Sequence, residues 1–214
     1  GVAMHSLPML RAAARAPRRS GPVTSALGGT TQVRRIVVDT EWTAVPWSEH
    51  CDLLWVGLAD ASGATFCALC ADARVHPSSE RHVADLLALL TPEVPRLGRE
   101  ALSREVRAFC GDADAFWAWI PTLDSFAAWA RLGPEAADTY QRCRGIDLRM
   151  LQALVQPWPA AWPTTLHDLN AAATARGVTL PAREANHLHP RVHAQWNHRL
   201  FARIQAAGGV PSDV

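Results

Sequence analysis

One stretch constrains this chain more than any other: Arg-Arg-Ile-Val-Val-Asp-Thr-Glu-Trp, residues 34–42. Residues 35–39 are a short β-branched run that closes on a carboxylate, the pattern of a buried central strand delivering a polar group at its tip. Side chains alternate across a strand, so Asp39 and Glu41 point to the same side. Two acids on one face repel unless a cation sits between them. Taken alone, Asp-x-Glu arises by chance in many chains, and a solvated strand end is the competing reading. The β-branched run before the pair and Trp42 after it favour a site.

That strand sets the frame for the rest. Residues 52–60 and 64–70 are apolar runs separated by Ala-Ser-Gly, which fits an antiparallel hairpin, so the first three strands read as a meander. Val83, Leu86, Leu87 and Leu90 recur at helical spacing over 79–90, as do Leu102, Val106 and Phe109 over 99–110. Residues 115–120 read as an aromatic strand. Pro121 and Thr122 mark its exit, and a helix beginning near Leu123 puts Asp124 where strand hands over to helix. The last third reads as helices over 146–155, 165–176 and 190–207, broken by the Pro/Trp segment 156–163 and by Gly177. Strands first, then helices covering one mixed sheet, predict an α/β layered domain.

Composition bounds this picture. A chain of 214 residues, 49% hydrophobic, can bury one proper core, so residues 34–207 read as a single domain with a short C-terminal tail over 208–214. No run of eighteen apolar residues is present, which argues against a membrane span. Five scattered cysteines, an odd number without framework spacing, point to a reduced, cytoplasmic setting. Residues 1–38 hold six arginines and no acid, and residues 1–33 read as a flexible basic arm. An ordinary tail, a nucleic-acid arm and a targeting segment all have that composition.

Asp124 supplies a third acid after a strand that, lying parallel beside the first, would bring its end near Asp39. Three convergent carboxylates suit hard divalent cations such as Mg2+ or Mn2+. A two-metal site, its ions about 3.5–4 Å apart, activates a water and stabilises the leaving oxygen in phosphodiester cleavage.

Several motifs in order carry a resemblance: Val-Val-Asp-Thr-Glu-Trp, then Phe-Trp-Ala-Trp-Ile-Pro-Thr-Leu-Asp, then a helix and Gly-Val-Thr-Leu leading to His-Leu-His-Pro-Arg-Val-His-Ala-Gln-Trp-Asn. Together they resemble the DEDDh exonucleases, most of all the small bacterial 3′-to-5′ exoribonucleases, over residues 34–205. The resemblance implies a ribonuclease H-like fold, with a central mixed five-stranded sheet made of the meander plus parallel strands and flanked by helices. It also implies a 3′-to-5′ exonuclease acting on the 3′ end of RNA or single-stranded DNA with two divalent cations, Mg2+ or Mn2+. Asp39 and Glu41 would be first-motif metal ligands, with Glu41 in the catalytic centre, and Asp124 would ligate the outer ion. Thr40 and Trp42 would contact the terminal nucleotide, Trp42 by stacking, although core filling is an equal account of Trp42.

The final motif departs from the family. His193 falls on the position of the fourth ligand, an aspartate in the family, and Leu188 on that of the general-base histidine. An imidazole brings no negative charge, so His193 as a metal ligand favours softer ions than Mg2+. His187 and His189 flank Leu188, and His189 is taken here as the base, one helical turn before His193. Glu184 is a candidate replacement acid, and His198 reads as an ordinary surface histidine. Cys67 and Cys70 read as packing residues, and the tryptophans of 156–162 as a candidate homodimer contact. Loss of both final-motif residues keeps a second class open: a catalytically impaired exonuclease fold that binds nucleic-acid ends or a protein partner.

Overall fold

The computed structural model describes residues 33–208. The expected arm over 1–33 and tail over 208–214 lie, but for Val33 and Gly208, outside the described residues.

The meander forms as β1 (Arg35–Trp42), β2 (Leu53–Asp60) and β3 (Thr65–Cys70), each pair antiparallel. The turn between β2 and β3 is held by Asp60, whose Oδ1 accepts from the amides of Ser62 and Ala64, with Gly63 at φ +90° where a side chain would strain. Beyond β1 lies β5 (Ala115–Ala118), parallel to it with Val37 opposite Trp117. Two short strands complete the sheet. β4 (Arg96–Leu97) runs parallel to β3 at one edge, and β6 (Leu166–Asp168) parallel to β5 at the other. The order is β4-β3-β2-β1-β5-β6, and β2 alone runs against the rest. This is a ribonuclease H-like arrangement, with six strands where five were expected.

Helices cover both faces, and strand alternation decides which residue meets which. Ile36 and Val38 of β1 face α2 (Arg99–Cys110) and α5 (Ile146–Leu154), packing with Leu102, Val106, Leu148 and Leu151. Val37, one residue out of phase, faces α6 (Leu169–Ala175) and α7 (Pro190–Ala206), packing with Leu169, Trp196, Leu200 and Phe201. α1 (Glu80–Leu87) closes a third cluster through Val83 and Leu86, against Trp55 and Leu69. α3 (Leu123–Ala130) and α4 (Ala136–Cys143) follow β5.

Two expectations are corrected here, and one helix is added. Residues 166–168 are strand, not helix; Asp168 ends the strand and caps α6 by accepting from the amides of Asn170 and Ala171. α4 went unseen in the sequence. Trp158 and Trp162, proposed as a dimer contact, are spent internally: both rings lie within 6 Å of Phe116, and Trp162 Nε1 donates to the Gly111 carbonyl.

One glycine governs the placement of α7. Gly57 of β2 is paired with Asp39, and a Cβ at Gly57 would lie 2.5 Å from the Pro190 carbonyl oxygen and 3.3 Å from Ala194 Cβ. Without a side chain there, the first turn of α7 rests directly on the sheet beside the tip of β1.

Candidate active site

The tip of β1 is bracketed from both sides of the sheet. Asp39 and Glu41 lie on the α7 side, and Thr40 on the α5 side. From α5 comes Asp147, an acid buried in the helix's first turn on the same stripe as Leu151 and Leu154. Its Oδ1 accepts from the Thr40 amide at 2.8 Å and the Thr40 hydroxyl at 2.7 Å. The Thr40 oxygen in turn accepts from Trp42 Nε1 at 2.8 Å. The β1 register shifts between Glu41 and Trp42, and this relay fixes where the indole points.

From α7 comes His193. Its Nδ1 lies 2.7 Å from Asp39 Oδ1, although the two are not aligned as a hydrogen bond. On the far side of the ring, Arg183 Nη1 stands 3.0 Å from Nε2. A guanidinium only donates, so Nε2 accepts and the imidazole proton sits on Nδ1, facing Asp39. The Arg183 guanidinium carbon is 3.7 Å from the centroid of Trp196. Asp39 Oδ2 is buried with no hydrogen-bond partner.

Crowding of carboxylates sets the electrostatics. Burial first, then Asp39, then Asp147, pushes the Glu41 carboxyl from 4.5 up to about 8. Asp147 is raised too, by burial and then by Asp39, against the pull of its two bonds from Thr40. Another buried acid, Asp52, is spent structurally: both its oxygens take Arg99 Nη2, at 2.8 and 2.9 Å.

These groups sit in a cavity of about 500 Å3, in the size range of small-ligand sites. Its walls are aromatic, with Trp42, Trp119, Phe126, Trp129 and Tyr140 all lining it. Trp129 is 60% exposed, an unusual placement for an indole, and Trp47 holds it edge-on at 6.1 Å.

Asp39, Thr40, Glu41, Trp42 and His193 therefore meet in one cavity, together with His187 and Leu188. Two expected residues do not. Asp124 is exposed in the first turn of α3 and does not line the cavity. α3 presents Phe126 to the cavity, and a residue two positions away on a helix lies on the opposite side. An acid in a first turn is favourable for the helix by itself. His189 is the other. It lies outside α7 with extended backbone, its Nδ1 accepts from the Arg191 amide as an N-cap, and Nε2 is 3.4 Å from Thr91 Oγ1. Helical i to i+4 geometry thus does not carry it toward His193. Glu184, the candidate replacement acid, is paired with Arg199 at 2.6 Å.

Two site residues had escaped the sequence reading, Asp147 and Arg183. For Asp147 a signal existed: an acid on the apolar stripe of residues 147, 151 and 154 is a buried carboxylate needing a partner. Arg183 lies in an irregular segment with no periodicity to mark it.

As donors, Asp39, Glu41 and Asp147 are all oxygen ligands of the kind a hard divalent ion takes. The unpartnered Asp39 Oδ2 and the raised Glu41 are what such an ion would satisfy. Among the described residues, no three His, Cys, Asp or Glu side chains are already gathered closely enough to hold one. The described residues include no helix long and apolar enough to cross a membrane, and all five cysteines are unpaired.

The chain matches no protein-family model and no curated protein. Among solved structures it is similar to the RNase domain of the yeast Pop2 protein, at 11% identity and a TM-score of 0.49, over 80% of this chain and 76% of that one. A likeness of that size bears on neither substrate nor chemistry.

Proposed function

We propose that this protein is a divalent-metal-dependent nuclease that removes nucleotides from the 3′ end of RNA or single-stranded DNA, in a cytoplasmic setting that suits its unpaired cysteines. One observation carries the reading: carboxylates from two elements, Asp39 and Glu41 on β1 and Asp147 on α5, crowd the floor of an aromatic-walled cavity. Such crowding is costly without a cation and useful with one. The polarity of attack comes from the family resemblance of the motifs.

In this reading Asp39, Glu41 and Asp147 would hold Mg2+ or Mn2+, with Asp147 in the role expected of Asp124. When bound, the cations supply Lewis acidity at the scissile phosphate and a lowered pKa for the attacking water. Trp42, pinned through Thr40, and the exposed Trp129 offer faces on which unpaired bases stack regardless of identity. His193 stands against Asp39, its Nδ1 2.7 Å from Oδ1, and fills the flank of that carboxylate. With His189 committed to capping α7, the exposed His187 on the cavity wall takes the proton of the attacking water.

A binding-only reading is favoured by one feature: an imidazole stands where the family has a carboxylate, leaving the site a negative charge short. Cleavage of labelled single-stranded RNA and DNA in Mg2+ and in Mn2+, run beside Asp39→Ala, decides between them. Metal-dependent shortening from the 3′ end that Asp39→Ala abolishes is the expected result. Equal and negligible cleavage by both proteins, with end binding retained in a gel shift, would establish the binding-only role.

A further inference from the structure

We propose that Arg183 is the anchor for the substrate phosphate in this cavity, so that the site selects nucleotides over nucleosides; the inference rests on the nuclease reading above. An acidic floor repels the phosphate it must attract, and the cavity wall answers with one cation beside Asp39. Arg183 sits over the Trp196 ring, its guanidinium carbon 3.7 Å from the centroid, with the Trp119 ring at 5.8 Å from the same carbon. It pairs with no carboxylate among the described residues, and its one protein acceptor is His193 Nε2. A guanidinium carries five N–H donors in a rigid fork. The fork is therefore seated on an indole face, attached to the acidic centre through a single bond, and left with donors to spend on phosphate oxygens.

The other cavity arginine, Arg144, lies by Tyr140 at the α4–α5 turn, 5.8 Å from that ring, and lacks any such bond to the acidic centre. It serves as the internal comparison.

The experiment measures binding of adenosine 5′-monophosphate and of adenosine to the full chain in Mg2+, by quenching of tryptophan fluorescence. The monophosphate has no phosphodiester to cleave, so affinity is read without turnover. Losing charge-assisted donors to the phosphate, Arg183→Gln should weaken the monophosphate at least about tenfold and leave adenosine unchanged. Arg183→Lys, which keeps the charge and loses the fork, should recover part of that loss. Equal weakening of both ligands, no weakening of either, or a phosphate preference that falls with Arg144→Gln instead would overturn the assignment. The two readings fail separately. Arg183-dependent phosphate selection without any cleavage would remove the nuclease and keep the anchor, whereas cleavage with Arg183-independent selection would remove the anchor alone.

Discussion

Glu41→Gln should make the metal-free protein more stable, and only at the upper end of the pH range. In the folded chain the Glu41 carboxyl is held at about 8 against an ordinary 4.5, chiefly by burial and by Asp39 and Asp147. A folded-state pKa above the unfolded one means the native state binds the proton more tightly. The stability that proton supplies is full below about 4.5 and is lost as pH rises through about 8. Glutamine is neutral throughout, so the advantage of the variant should be near zero at the acid end and grow across that window. At about 1.4 kcal/mol per pKa unit the full span would be about 5 kcal/mol. The three carboxylates share one repulsion, and side chains relax toward water, so about half of it, 2–3 kcal/mol, is the expected gain. For a domain of this size that is a rise of about 4–12 °C in Tm above pH 8. The assay is thermal unfolding of both proteins in EDTA across the window, repeated in Mg2+. Mg2+ should stabilise the wild type and narrow or reverse the gap, because a ligand for the native state adds its binding free energy to folding. Parallel curves at every pH, or equal stabilisation of both proteins by Mg2+, would refute the argument that Glu41 carries an uncompensated charge at a cation site.

Four further outcomes are expected. Asp147→Asn should abolish cleavage, while Asp124→Asn, an exposed change worth within about 0.5 kcal/mol, should leave both cleavage and Tm near wild type; the opposite pattern in a nuclease assay would restore the sequence-based assignment. Thr40→Val removes a buried hydroxyl bond to a carboxylate and should cost about 1.5–3 kcal/mol in urea unfolding, with Thr40→Ser close to wild type. Trp129→Ala should raise KM for single-stranded substrates by about fivefold or more with little change in kcat, since stacking one base is worth about 1–3 kcal/mol. Gly57→Ala should cost about 1–3 kcal/mol by overpacking and lower cleavage with it, read as paired Tm and activity measurements.

The parts of the molecule legible in the sequence were those written in a single period. The β1–β2–β3 meander shows itself by apolar runs and a tight turn, and α2 by a clean stripe of Leu102 and Val106. Asp39 and Glu41 are visible as a pair because alternation within one strand is a local property. β6 is not, because three residues become strand only by lying beside β5, and nothing in Leu-His-Asp encodes that neighbour. α4 is hidden by a sequence, Ala-Ala-Asp-Thr-Tyr-Gln-Arg-Cys, with few apolar positions to show a period. The misplacement of Asp124 has the same origin: its order in the chain suited the family motif, but which side of α3 meets the cavity depends on where Phe126 packs. Asp147 reaches the site from the opposite layer, through Thr40, so no pattern within β1 could reveal it.

The bare stretch of backbone at Gly57 also has a consequence for synthesis. Because Pro190 rests against it, His193 reaches Asp39 only after every other described element of the sheet and its helices has been translated. A ribosome-bound chain halted before residue 190 would carry the first acids and most of the hydrophobic interior, yet lack the helix that covers one flank of the centre. Closure of the centre on that flank is thereby tied to the emergence of residues 190–206.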